Sequence, residues 1–204
     1  MDAPTHWDLI YSSKAPETVS WFRPHLEISL GLIERLAPNR SAEIIDVGGG
    51  ESTLVDDLLA RGFQNLTVLD VSGTALEATR ERLGPIGQGV RWLVANMTQA
   101  RMKPNSYDVW HDRAAFHFLT EPEQRTAYVE RVASAIKTGG HIVISTFGLE
   151  GPPRCSGLGV VRYDAETLQR EFGASFRLIE SLTELHLTPS KGCQQFTYCA
   201  LQKT

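Results

Sequence analysis

The chain has 204 residues, 42% of them hydrophobic and 22% charged, and a net charge of −4. That is long enough for one domain with a substantial core, in the ordinary composition range of globular proteins. No Lys/Arg block marks a nucleic-acid partner and no apolar run approaches a membrane span. No basic stretch followed by an apolar one opens the sequence, so export is not expected. Cys155, Cys193 and Cys199 are odd in number and lack metal-ligand spacing. They fit a reducing, cytoplasmic setting and give no metal site.

Residues 1–25 are aromatic-rich (Trp7, Tyr11, Trp21, Phe22) and irregular in pattern. Leu26, Leu30, Ile33 and Leu36 then recur at helical spacing, and Pro38-Asn39 ends that helix. Ile44-Ile45 opens a first strand. Residues 52–61 fit a helix with Leu54, Val55, Leu58 and Leu59 inward, stopped by Gly62. Residues 66–69 are a second strand and 74–83 a helix closed by Gly84-Pro85. Residues 90–94 and 107–111 are the third and fourth strands. A helix over 123–137 buries Val129, Val132, Ala133 and Ile136, and a fifth strand covers 141–147. This alternation predicts a parallel sheet with helices on both faces. The end differs. After a loop at 148–162 and a helix over 165–172, strands at 176–187 and 194–202 are joined by a turn short enough to make them antiparallel. One domain is expected: an N-terminal aromatic segment and helix (1–38), a core (39–147), and a loop, helix and terminal hairpin (148–204).

The chemistry is concentrated after the first two strands. Glu43-Ile-Ile-Asp46-Val-Gly48-Gly49-Gly50 ends an apolar run in an acid, turns through glycines and restarts as a helix. Twenty residues later, Leu66-Thr-Val-Leu-Asp70 ends in a second acid. Glycines let the backbone turn sharply and approach a ligand, and the following helix offers free N–H groups to an anion. Asp70 is placed to accept hydrogen bonds from ribose hydroxyls. A dinucleotide fingerprint would put its third glycine at position 53, which is Thr53. That count opposes an NAD-dependent oxidoreductase, because the third glycine permits close helix–strand packing.

On these residues the chain resembles the class I S-adenosylmethionine-dependent methyltransferases over roughly 40–147. The resemblance implies a Rossmann-like, seven-stranded sheet of order 3-2-1-4-5-7-6 with strand 7 antiparallel. It implies S-adenosyl-L-methionine as cofactor, held by Asp46, Gly48, Gly49, Gly50, Asp70 with Val71, and Asn96 with Met97 at the adenine position. Many members place Asp at that last position; Asn96 accepts through its carbonyl oxygen. The stretch Tyr107-Asp-Val-Trp-His111-Asp112-Arg113-Ala114-Ala-Phe116-His117 resembles a segment of protein-lysine methyltransferases acting on elongation factor 1A and citrate synthase, with Ala114 where they carry glycine. The implied reaction is methyl transfer, favoured on a protein lysine. A small-molecule oxygen, sulfur or carboxylate acceptor is the alternative, and a catalytically silent cofactor-binding module is another.

Asp112, just past the fourth strand, is expected either to hold the methionine amino group or substrate or to cap the next helix. His111 is a candidate proton relay, with core packing as its alternative, and His117 a weaker one. Arg23 suits the cofactor's carboxylate. Trp21 and Phe22 are placed to close over a sulfonium, since aromatic faces attract cations. The loop over 148–161 is the expected substrate lid.

Overall fold

The computed structural model describes residues 3–204. Its main sheet has seven strands: β1 (Glu43–Val47), β2 (Asn65–Asp70), β3 (Arg91–Val94), β4 (Tyr107–Arg113), β5 (Ile136–Phe147), β6 (Phe176–Leu187) and β7 (Cys193–Lys203). Their order is β3-β2-β1-β4-β5-β7-β6. The first five pair in parallel, and β7 runs antiparallel to both β5 and β6. This is the expected architecture, including the reversed seventh strand. Central strands covered on two faces need apolar residues on both, and β1 is accordingly buried from Ile44 to Val47.

The helices are α1 (Ala3–Ser13), α2 (Glu27–Leu36), α3 (Leu54–Ala60), α4 (Gly73–Leu83), α5 (Pro122–Ala135) and α6 (Ala165–Phe172). Leu30 and Ile33 of α2, Leu54 and Leu58 of α3 and Leu76 of α4 pack with Ile44, Val68 and Val143 on one face of the sheet. Tyr128 and Val132 of α5 and Leu168 and Phe172 of α6 pack with Ile45, Leu69, Trp110 and Ile144 on the other. Burial of side chains of this size stabilises the fold by about 1.5–3 kcal/mol each. No described helix is long and apolar enough to cross a membrane.

Five local expectations are corrected. Residues 3–13 form a helix where the pattern suggested irregular chain; Met1 and Asp2 lie outside the described residues. Helix α1 buries none of its residues, so it lacks the apolar stripe by which a helix is usually recognised. The buried stripe of α5 is Tyr128, Val132 and Ala135, with Val129 and Ala133 only partly covered. Ile136 is extended and already pairs with Tyr107, so β5 begins five residues before its expected start. Strand β4 continues to Arg113, which puts Asp112 inside it. Within the 148–162 loop, Arg154–Cys155 and Leu158–Gly159 pair as a small antiparallel ribbon.

Candidate active site

The site is built on the carboxyl ends of β1, β2 and β4, where parallel strands leave a crevice. Asp46 is the one acid in the buried run Ile44–Val47 of β1 and is only 4% exposed. After it the chain turns on itself: the N–H groups of Gly48 and Gly49 both donate to the Leu69 carbonyl, at 2.8 and 3.2 Å. Gly48 and Gly50 have φ of +69° and +43°. A Cβ on Gly48 would stand 2.5 Å from Cβ of Ala115, and one on Gly50 2.5 Å from the Tyr11 hydroxyl. The turn is thus pressed between the β4–α5 connection and α1, with no room for a side chain at either position.

Two chambers flank this turn. The larger, about 230 Å³, is lined by Asp70, Val71, Asn96 and Met97 and by Trp7, Trp21, Phe118, Cys155 and Leu158. The smaller, about 50 Å³, is lined by Asp46, Gly48, Gly49, His111, Trp21, Phe22 and Arg23. Tyr11, Trp21, Gly48 and Arg113 line both. The structure therefore gathers Trp21, Arg23, Asp46, the glycines, Asp70, Val71, Asn96, Met97 and His111 around one crevice. The first chamber fits an adenosine: a buried carboxylate faces it at the ribose position, and Met97 and Val71 supply apolar walls. The second is narrow and polar and fits an amino-acid tail.

Burial pushes the Asp70 carboxyl up to about 7, against the opposing hydrogen bond from the Ser72 N–H; the nearby charge of Asp46 adds to the rise. Its Oδ1 accepts from Ser72 N at 2.8 Å. Asp46 Oδ1 pairs with His111 Nδ1 at 2.7 Å, while its buried Oδ2 has no partner. A buried carboxylate oxygen without a donor is costly, so this atom is one a ligand's N–H would satisfy. His111 Nε2 pairs with Ser29 Oγ at 2.9 Å. With Nδ1–H donating to Asp46, Nε2 accepts the Ser29 hydroxyl proton. Both ring nitrogens are engaged, so His111 fixes Asp46 and is not a free relay.

Asp112 is corrected more strongly. It points to the opposite face of the sheet from His111 and is fully buried. Its oxygens accept from Ala115 N and Phe116 N at 3.0 and 3.1 Å and from the Tyr128 hydroxyl at 2.7 Å. Trp110 Nε1 donates in turn to that hydroxyl at 2.9 Å. Asp112 lines neither chamber and caps no helix; it fastens the turn at 115–116 and the Tyr128 hydroxyl. Burial raises its carboxyl to about 6 despite the Tyr128 hydrogen bond. His117 is also fully buried; burial and the Arg113 charge depress it to about 3, and it accepts from Phe147 N through Nδ1 at 3.2 Å. Two further expectations change in detail. The Asn96 carbonyl oxygen already accepts from Thr98 N and Oγ1, at 2.9 and 2.8 Å, in a local turn. Arg23 lines the small chamber, but its guanidinium is paired with Glu184.

Sequence reasoning gave no site role to four contributors. Trp7 and Tyr11 of α1 stand four apart, the spacing that puts side chains on one helix face, and that was the available signal. Asp8 fastens α1 to the start of α4 by accepting from Ser72 Oγ at 2.6 Å. Phe118 follows β4 and meets Trp7 edge to face at 5.1 Å. Trp21 meets Trp7 at 6.0 Å and Tyr11 at 6.5 Å, again edge to face. These four rings line the large chamber together with Asp70. The ribbon residues Cys155 and Leu158 reach the same chamber, as expected of a lid. No cluster of potential metal ligands occurs among the described residues.

Comparison with known proteins agrees with this geometry. Residues 44–140 match a family model described as a methyltransferase domain. The eEF1A lysine and N-terminal methyltransferase of Bos taurus is 24% identical over 122 residues, covering 59% of this chain. The chain spans only 17% of that relative's length. EEF1A lysine methyltransferase 2 of Homo sapiens is 22% identical over 192 residues, covering 87% of this chain and 75% of its own. Among solved structures, the N-methyltransferase NodS from Bradyrhizobium japonicum WM9, in complex with S-adenosyl-L-homocysteine, superposes with a TM-score of 0.73. The two are 13% identical, and the superposition covers 99% of each chain. Residues 44–140 thus match a methyltransferase domain, and in fold and crevice the chain resembles the class I S-adenosylmethionine-dependent methyltransferases.

Proposed function

We propose that this protein transfers the methyl group of S-adenosylmethionine to nitrogen, with a protein lysine as acceptor. The observation that carries the reading is the cluster of aromatic rings, Trp7, Tyr11, Trp21 and Phe118, that lines the same chamber as Asp70. Ring faces attract an alkylammonium group by about 0.5–2 kcal/mol, more when it is desolvated, and accept its aliphatic stem. The names of the curated relatives, which act on lysine of elongation factor 1A, point the same way.

When bound, the cofactor supplies an electrophilic sulfonium methyl, and the chain supplies orientation and a dry setting. Asp70 holds the ribose hydroxyls and Asp46 Oδ2 takes an N–H donor from the amino-acid tail. Trp21 and Tyr11, common to both chambers, would flank the cofactor's methyl and the acceptor. The Tyr11 hydroxyl is pushed well above its ordinary value by burial and by Asp70, so it keeps its proton and serves as a hydrogen-bond donor. Alignment of this kind contributes on the order of 7–11 kcal/mol to a bimolecular step.

The test is to incubate the protein with methyl-labelled cofactor, a proteome and a metabolite pool. Label in one protein band, recovered as methyl-lysine after hydrolysis, is the expected result. Label confined to small molecules would replace lysine with a small oxygen, sulfur, carboxyl or amine acceptor.

A further inference from the structure

The aromatic cluster depends on Trp21, yet Trp21 lies in a segment with little regular structure, between a single 3-10 turn at Pro16–Thr18 and α2. What holds it is the last hairpin of the sheet together with β4. His186 Nε2 donates to the Ser20 carbonyl at 2.8 Å. Arg113 Nη1 donates to the Trp21 carbonyl at 3.0 Å. Arg23 Nη2 donates to Glu184 Oε1. Three of the four residues from Ser20 to Arg23 are thereby tied to β6 or to the end of β4.

Glu184 joins these ties. It is 8% exposed, and its second oxygen lies 3.9 Å from Arg113 Nη2. Arg113 is itself fixed from other directions, by Nε donating to the Tyr198 hydroxyl at 3.0 Å and by its guanidinium lying 4.6 Å from the Phe196 ring centre. One buried carboxylate thus sits between the cation of the segment and the cation that grips the Trp21 backbone. Neither Glu184 nor His186 lines a chamber. A buried acid shared by two guanidiniums is dear to desolvate, and it is an expensive way only to close a sheet edge.

We propose that Glu184 is a positioning residue: through Arg23 and Arg113 it clamps the 20–23 segment and so sets the Trp21 ring against the methyl-transfer point. The proposal rests on the methyltransferase reading for its consequence, but the clamp itself is observable without turnover.

The experiment uses the full chain labelled with 5-fluorotryptophan, whose four tryptophans give separate fluorine resonances, assigned by single Trp→Phe replacements. In Glu184→Gln the Trp21 resonance shifts or broadens, while that of Trp110, fully buried under α5, stays in place and reports an intact fold. Methyl incorporation at saturating donor falls about 10–100-fold, the scale of a 1 Å misplacement. The Kd for S-adenosylhomocysteine stays within about twofold. Arg23→Gln, at a partly exposed position, moves the Trp21 resonance in the same way and covers the case in which Glu184→Gln does not fold. The double variant loses no more rate than Glu184→Gln alone, because the clamp is already open. An unmoved Trp21 resonance in Arg23→Gln, or a moved one with native incorporation, overturns the proposal. If the native protein itself incorporates no label, the acceptor reading fails while the resonances still decide on the clamp.

Discussion

Asp70→Asn separates a ribose ligand from a merely buried acid. The replacement keeps shape and an acceptor for the Ser72 N–H while removing the charge. Burial raises the Asp70 carboxyl from 3.8 to about 7. An acid whose value is raised by folding stabilises the fold fully below its ordinary value and loses that contribution as pH climbs toward the folded value. The loss is about 1.4 kcal/mol per pH unit in this interval. From pH 5 to pH 7 the ligand-free native protein therefore gives up about 2 kcal/mol through this residue, and Asp70→Asn gives up none. For a chain of this length that is about 4–8 °C in melting temperature. Asp112, raised to about 6, acts in the same direction, and His117, depressed to about 3, acts oppositely below 6.5. Both are present in both proteins, so the difference between the two melting curves isolates Asp70. Ribose hydroxyls donate more strongly to the ionised form, which offers both oxygens as acceptors, so native affinity for S-adenosylhomocysteine rises by up to about tenfold from pH 6 to pH 8 as the carboxylate fills. The affinity of Asp70→Asn stays low and flat. Calorimetric titration and thermal melts over pH 5–8 measure both quantities. Parallel melting curves with pH-independent binding in the native protein would refute the reasoning.

Other perturbations probe separate parts of the site. Gly48→Ala forces a side chain into φ +69° and against Ala115, and should cost about 2–4 kcal/mol in urea unfolding along with donor binding. Tyr128→Phe strips Asp112 of its hydroxyl donor and Trp110 of its acceptor, and should cost about 1–3 kcal/mol while leaving S-adenosylhomocysteine affinity unchanged. Weakened affinity at native stability would return Asp112 to the cofactor site. Trp7→Ala opens the aromatic cluster and should lower kcat/KM for the acceptor by about 5–30-fold, matching a cation–ring contact of about 1–2 kcal/mol. Equal activity would mean that α1 does not wall the acceptor.

The cofactor half of the site was legible because its residues answer to backbone geometry. Gly48 and Gly50 must adopt positive φ at a crowded turn, and Asp46 and Asp70 end strands that are otherwise apolar, so each leaves a mark in a single line of letters. The strand order was legible only through resemblance, since no local pattern tells β5 to pair with β7 before β6. Asp112 shows where spacing stops informing. Adjacent residues on a strand face opposite sides, so with β4 extended to Arg113 Asp112 faces α5 while His111 stays at the crevice.

Strand β6 was legible in its bounds but not in its facing, because its burial pattern is reversed. In β6 the polar Glu184 and His186 are buried while Leu185 and Leu187 are 66% and 71% exposed. Binary patterning would have turned the leucines inward. The register is dictated by β7, whose Phe196 stands opposite Glu184 and Tyr198 opposite Leu182, so the whole face follows. A sheet edge that buries an acid and a histidine and exposes leucines gives up local hydrophobic stabilisation. Such violations concentrate where a chain needs a charge held in a fixed place. Here the held charges are Arg23 and Arg113, and what they hold is the segment carrying Trp21. The inverted strand and the aromatic cluster are therefore two ends of one device, which is why neither the strand's facing nor the rings' role was visible to a pattern that assigns each residue by its own polarity.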